Sequence, residues 1–486
     1  MQNPDIILYK SHALITGQRE NKMIDKNLAN DVLTAAMATG GAFAEIFLEE
    51  SASNVMTLVN NVVEKSRSGI DYGVGIRIFN GTNAIYAYTN DTDRDSLLAV
   101  AKEAAAAVTA PQSNKVNSFT VLNFAKVSPM GIAYNTIPRA QVVDMLKQAG
   151  VAAYATSPEI TQLTTQYQDL LRNVLICNTD GTWAEDTRNY TRIWLDAVAT
   201  AGSDKQTLFK SKGGQMGFEA YDGHDWAAWG RGIAEGAVKM LHAKYAPAGK
   251  YPVIISKGEG AVILHEACGH SLEAEGVAKK ASEFAGKVGQ KVARDFITVI
   301  DEGHLPGGKW GSINIDDEGN LPQKNVLVEN GILKGYLVDR LSGLRLGMKP
   351  TGSGRRQNYR YAPTSRMTNT YIANGTSTYD EIIAATEYGL FAKEIGGGSV
   401  DPATGEFNFG VDEAYMVRNG KICEPVRGAS LIGRGSEVMA NIDMLGNDLE
   451  IIGQGFCGST SGNVPTSEGQ PTIRVSEMTV GGRSED

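Results

Sequence analysis

The chain has 486 residues, well past the usual single-domain size of roughly 100–150, so two large domains are expected. Its composition, 42% hydrophobic and 21% charged with 55 glycines against 15 prolines, excludes a disordered chain and fits a turn-rich globular one. A net charge of −9, a sequence pI near 5.4 and no basic run leave little to attract a phosphate backbone, so nucleic acid is not an expected partner.

The first residues, Met1-Gln-Asn-Pro-Asp-Ile-Ile-Leu-Tyr-Lys10, lack a basic segment followed by a long apolar one. No stretch of about 20 uncharged apolar residues occurs anywhere, so no membrane association and a cytoplasmic location are expected. Because Met23 precedes the first helical pattern, residues 1–22 are read as a loose N-terminal arm. Asp25 then caps a helix through Leu28, Val32, Leu33 and Met37, and Gly40-Gly41 stops it before a strand over 43–48.

Alternating runs at 73–79 and 84–89 flank Asn80-Gly81, a tight-hairpin signal because both turn residues tolerate positive φ. A second hairpin is read at Asp180-Gly181, and helical patterns at 93–108, 139–156 and 226–245. Ala246-Pro247-Ala248-Gly249 combines a helix breaker with a flexible residue, and the apolar Pro252-Val253-Ile254-Ile255 after it reads as a buried strand. The domain boundary is placed there, giving an N-terminal helix/hairpin domain over 23–246 and a C-terminal domain over 250–486.

In the second domain, 326–340 folds about Asn330-Gly331 and 414–422 about Asn419-Gly420, two further hairpins. The expected fold is therefore α+β, with a mostly antiparallel-β C-terminal domain that carries the helix described next. The four cysteines, Cys177, Cys268, Cys423 and Cys457, are too scattered for a disulfide scaffold and read as reduced thiols.

The chemistry is concentrated in Gly258-Glu-Gly-Ala-Val-Ile-Leu-His265-Glu266-Ala-Cys268-Gly269-His270-Ser-Leu-Glu273. Two histidines four apart on a helix share one face and can share one metal ion. Here they are five apart, about 140° apart on an ideal helix, so the helix must end, kink or widen into a π-bulge before His270. Gly269, with its permissive backbone, stands where that distortion is needed. Glu266 directly follows the first histidine, where its carboxylate can act as general base beside the metal without binding it. A third ligand is required, and spacing leaves Cys268, Glu273, Cys423, Cys457 and His304 open. Cys457 belongs to the glycine-rich segment 453–462, read as a flexible loop.

The segment 265–273, the stretches Thr351-Gly-Ser-Gly-Arg355-Arg356 and Arg366-Met-Thr-Asn-Thr-Tyr371, the segment 396–410 and the Cys457 segment together resemble the TldD branch of the TldD/PmbA family, also labelled modulators of DNA gyrase. The resemblance extends from about Met23 to the end. It implies a cytoplasmic zinc metallopeptidase acting on unfolded or flexible peptides, with zinc on His265, His270 and Cys457 and Glu266 as the catalytic base that serves metal-activated water. It also implies a homodimer, or a heterodimer with a motif-lacking TldE/PmbA-type subunit. One departure is Ala274-Glu275 where the family pattern has Gly-Asp, which leaves any role for Glu275 in doubt.

The competing function is a non-catalytic, zinc-containing assembly subunit that binds a partner protein. Arg355, Arg356 and Arg366 are read equally as contacts for substrate carboxylates or partners of structural acids. Gly396-Gly397-Gly398-Ser399 lacks a P-loop ending and reads as a turn; its amides, Gly397 and Gly398 included, are candidates for pairing with an extended substrate. Asp316-Asp317-Glu318-Gly319 misses calcium-loop spacing and reads as an acidic turn, and Asp301-Glu302 as solvated surface.

Overall fold

The computed structural model describes residues 24–109, 115–127 and 130–483; the expected arm, 1–22, lies outside the described residues. Asp25 caps α1 (Lys26–Ala36), its carboxylate accepting from the Leu28 amide at 2.8 Å, and the face of Ala29, Val32, Leu33 and Ala36 turns inward. β1 (Ala44–Val59) and β2 (Val62–Asn80) form a long hairpin turned at Asn60-Asn61, both at positive φ (51° and 64°). β3 (Asn83–Thr89) follows, then α2 (Arg94–Ala106), whose cap is Asp93, and the short β4 (Thr120–Val121). α3 (Arg139–Tyr154), β5 (Ile160–Asn178), β6 (Thr182–Ala201), β7 (Asp204–Gly214) and α4 (Trp226–Leu241) complete this half.

Strands β1–β7 make one seven-stranded sheet in the order β3-β2-β1-β5-β6-β4, with β7 also on β6. They run much longer than the sequence suggests: the expected strand at 43–48 is the start of the 16-residue β1. The reason is that 62–71 of β2 are largely exposed and carry no inward alternation to read. One face of the sheet carries the helices. α1 and α2 pack over Ile46, Leu48, Val74, Ile76 and Cys177, while α3 and α4 pack over Met56, Leu58, Leu163, Tyr167 and Ile193. The other face, which includes Glu45, Phe47 and Val174, meets the second half of the chain.

That second half holds an eight-stranded and a six-stranded sheet around one large core. The hairpin at Asn419-Gly420 joins Glu406–Arg418 to Lys421–Arg427. At Asn330-Gly331 the return strand is only Ile332–Leu333, and Arg340 begins a helix, Arg340–Leu346, capped by Asp339. Most strand pairs in these sheets are antiparallel, as expected, with a few parallel ones among them. Gly249–Ile255 runs parallel to Tyr388–Asp401, and Asn369–Ile372 parallel to Gly462–Gln470. Such pairs join segments far apart in sequence and leave no hairpin signal.

Three local expectations are corrected. Gly396–Ser399 is not a turn but part of the strand Tyr388–Asp401, at a register break between Ile395 and Gly398, where a Cβ on Gly398 would lie 2.2 Å from the Phe409 ring. Asp301 is not solvated; it is fully buried and accepts from the Thr368 amide and the hydroxyls of Thr368 and Thr370. Asp316–Gly319 is an acidic turn, with Gly319 at φ 80°, but its acids are buried against Arg77 and Arg188 of the first half and Arg356 of the second.

Candidate metal centre

The strand Gly249–Ile255 delivers the chain to a helical segment of changing pitch: a 3-10 turn (Gly258–Ala261), one α turn (Val262–Leu264), a π turn (His265–Gly269) and a second 3-10 turn (His270–Leu272). Within the π turn the His270 amide donates to the His265 carbonyl, an i→i+5 bond. This widening brings the two imidazoles to one side, with ring centroids 5.3 Å apart and planes at 88°. Ile263, Leu264, Cys268 and Leu272 fix the segment in the core.

Cys457 reaches the histidines from the strand Glu450–Ser459, the edge of the six-stranded sheet, and not from a loop. There it stands opposite Val464. Its neighbours hold the strand in place: the Trp310 indole donates to the Gly455 carbonyl at 2.7 Å and stacks edge-on against Phe456. Cys457 Sγ lies 3.1 Å from His265 Nε2 and 3.2 Å from His270 Nε2, and the three donor atoms fall within 4.8 Å of one another. Donors on a tetrahedral zinc ion, with bonds near 2.0 Å to nitrogen and 2.3 Å to sulfur, are about 3.5 Å apart. The donor set and its spacing therefore fit such an ion.

The electrostatics agree with that chemistry. Burial opposes ionisation of Cys457, but the His265 and His270 imidazoles outweigh it and bring the thiol down to about 5. Burial likewise works against protonation of both histidines. The Cys457 sulfur nevertheless raises His265, and Glu273 with Cys457 raises His270 well above the ordinary value. A thiol that ionises this readily is a donor prepared for a divalent metal at neutral pH.

The remaining ligand alternatives separate clearly. Glu273 accepts at the other ring nitrogen of His270, Oε2 to Nδ1 at 3.1 Å, and so orients that ring. Cys268 is sealed in the apolar core, where burial pushes its thiol up. Cys423 and His304 are exposed and fall outside the donor group. The Glu266 side chain is 29% exposed, with Oε2 3.6 Å from His270 Nε2, so its carboxylate stands at the open side of the three donors. Glu275 hydrogen-bonds Thr460 and Lys279.

The arginines are not available to substrate. Arg355 donates to the Met367 carbonyl and Arg356 pairs with Glu45, both buried. Arg366, fully buried, donates to the carbonyls of Cys457 and Gly462 and lies 3.5 Å from Glu273, tying the cysteine strand to the histidine segment. Glu468, whose charge favours protonation of His265, is a neighbour that no sequence pattern marks. Gly397 lies on the strand Tyr388–Asp401, where a Cβ would meet open space.

Comparison with known proteins covers most of the chain. The family model for the PmbA/TldA metallopeptidase C-terminal domain matches 248–482, that for domain 1 matches 44–108 and that for the central domain 133–241. The metalloprotease TldD homolog of Haemophilus influenzae is 34% identical over 452 residues, covering 90% of this chain and 93% of its own. The zinc metalloprotease TldD homolog of Saccharolobus solfataricus is 25% identical, covering 91% and 97%. A Thermotoga maritima protein named as a modulator of a DNA gyrase has the same fold, with TM-score 0.75, 20% identity and coverage of 94% and 100%.

Proposed function

The chain belongs to the PmbA/TldD metallopeptidase family, and from that premise we propose that it is a zinc peptidase hydrolysing peptide bonds in unfolded or flexible peptides. The observation that carries this reading is the convergence of His265, His270 and Cys457 beside the half-open carboxylate of Glu266. These three residues would hold the ion and leave a fourth position open. Zinc bound there supplies a Lewis acid that lowers the pKa of water to about 7 and polarises a peptide carbonyl, tempered by the negative charge of the thiolate.

Glu266 takes the proton from the attacking water and passes it to the leaving amine. Its partly exposed carboxylate suits this transfer, because the proton comes from the attacking water and leaves on product. Glu273 holds His270 in one tautomer, with Nδ1 toward the carboxylate, so that Nε2 would be the atom to hold the ion. Substrate is proposed to lie as an extended chain along glycine-rich strands, Gly397 and Gly398 among them, using backbone pairing in place of sequence-reading pockets. The free cysteines suit the cytoplasm, and the resemblance to the TldD branch supports a dimer, with a second copy or with a motif-lacking TldE/PmbA-type subunit.

Elemental analysis together with peptidase assays tests the reading. Glu266→Gln is expected to keep zinc and lose activity by about 10²–10⁴-fold, and Cys457→Ala to lose zinc. Full activity in the first variant removes Glu266 from the mechanism, and full zinc content in the second removes Cys457 from the ligand set.

A further inference from the structure

The two helix pairs on the seven-stranded sheet leave the middle of β1 uncovered, and a cavity of about 510 Å3 opens there, between β1, β2, β5 and the start of α3. It lies on the helix face, so the sheet itself separates it from the half of the chain that carries the metal centre. Its size is that of a small-molecule site. Met56, Tyr134 and Tyr167 give it an apolar wall, and Asp169 stands in that wall at 5% exposure.

Asp169 is directly opposite Asn54 in the β1/β5 register, and its Oδ1 accepts from the Asn54 amide at 2.8 Å. Asn54 in turn accepts from Ser68, and Ser68 from Arg139 at 2.6 Å. Arg139, the cation at the rim, is thus held by the hydroxyls of Ser66 and Ser68 and not by the carboxylate. Among the described residues no lysine, arginine or histidine comes within ion-pair distance of Asp169. Burial pushes this carboxyl up to about 6, against the hydrogen bonds from Asn54 and Tyr167. At neutral pH an ionised carboxylate is therefore kept in an apolar wall without a direct ion pair, the Arg139 charge acting on it only from the rim, and a cation placed on the carboxylate itself would offset its burial.

We propose that this cavity binds a small organic cation, a primary ammonium on an apolar body, with the ammonium on Asp169 and the body against Met56, Tyr134 and Tyr167. A divalent metal does not fit, because Asp169 is the only carboxylate among the lining residues and such ions take several oxygen ligands. Aromatic rings flanking a carboxylate suit an organic ammonium, which gains from both.

Calorimetric titration of the full chain at neutral pH with 2-phenylethylamine, and with 2-phenylethanol as its uncharged counterpart, tests this. The amine is expected to bind saturably and the alcohol about tenfold more weakly or not at all, with Asp169→Asn and Ala52→Phe each weakening the amine by about tenfold or more. Absence of saturable amine binding to the unaltered chain, equal binding of the alcohol, or undiminished binding to folded Asp169→Asn overturns the proposal. Ala52→Phe keeps the carboxylate and narrows the cavity from its floor, so it decides the matter if Asp169→Asn fails to fold. Peptidase activity plays no part in the readout, and the outcome is independent of the metal centre.

Discussion

His270 has a hydrogen-bond partner at each ring nitrogen: Cys457 Sγ at Nε2 and Glu273 Oε2 at Nδ1. Glu273 is buried, which alone would raise its pKa, but His270 and Arg366 hold it below the ordinary carboxylate range. A carboxylate behind a ligating imidazole fixes the ring and makes it a better donor. Glu273→Gln keeps the shape but loses the charge, and it is expected to weaken zinc binding by about 10–100-fold in a chelator competition. Unchanged affinity would show that the ring is held by packing alone. The His-Glu pattern of the motif is legible residue by residue, yet Glu273 enters the sequence reading only as an alternative ligand. Arg366 could not be assigned at all from sequence, because the carbonyl it binds lies 91 positions away.

At the scale of the element, five-residue spacing demands a departure from α-helix, and the chain makes one over His265–Gly269. The role of Gly269 differs from the one its permissive backbone suggests. Its φ is −58° and its ψ −51°, ordinary helical values that any residue adopts. What the position requires is space, since a Cβ would stand 2.1 Å from Sδ of the fully buried Met367. Gly269→Ala is therefore expected to cost about 1–3 kcal/mol as an overpacked core does, and to weaken metal binding by displacing His270. Adding Met367→Ala should return part of the lost thermal stability; a double variant no better than the sum of its parts would place the cost elsewhere. Close approach of distant chain segments explains Cys457 too. Its glycines read as a loop, whereas pairing with Gly462–Gln470 makes the segment a strand.

Over the whole molecule, hairpin turns and capped helices were legible because their signals are local, while the joint between the two halves was not. That joint is a buried network of charge. Arg77 bridges Glu45 at 2.7 Å and Glu318 at 2.6 Å; Arg356 pairs with Glu45 and lies over Phe47; Arg188 joins Asp186 to Asp317. Glu45 and Arg356 are 311 positions apart, so nothing in either neighbourhood announces the pair. Desolvating such charges is costly, and removing one partner leaves the other buried and uncompensated. Arg356→Met is accordingly expected to lower stability by about 3–5 kcal/mol, read as a shift in the urea midpoint. Glu45→Gln in the same chain should not restore that loss, because Glu45 still pairs with Arg77 and its neutralisation leaves Arg77 with Glu318 alone. Equal midpoints for Arg356→Met and the unaltered chain would mean that the apolar contacts around Phe47 and Tyr359, and not the charges, hold the halves together.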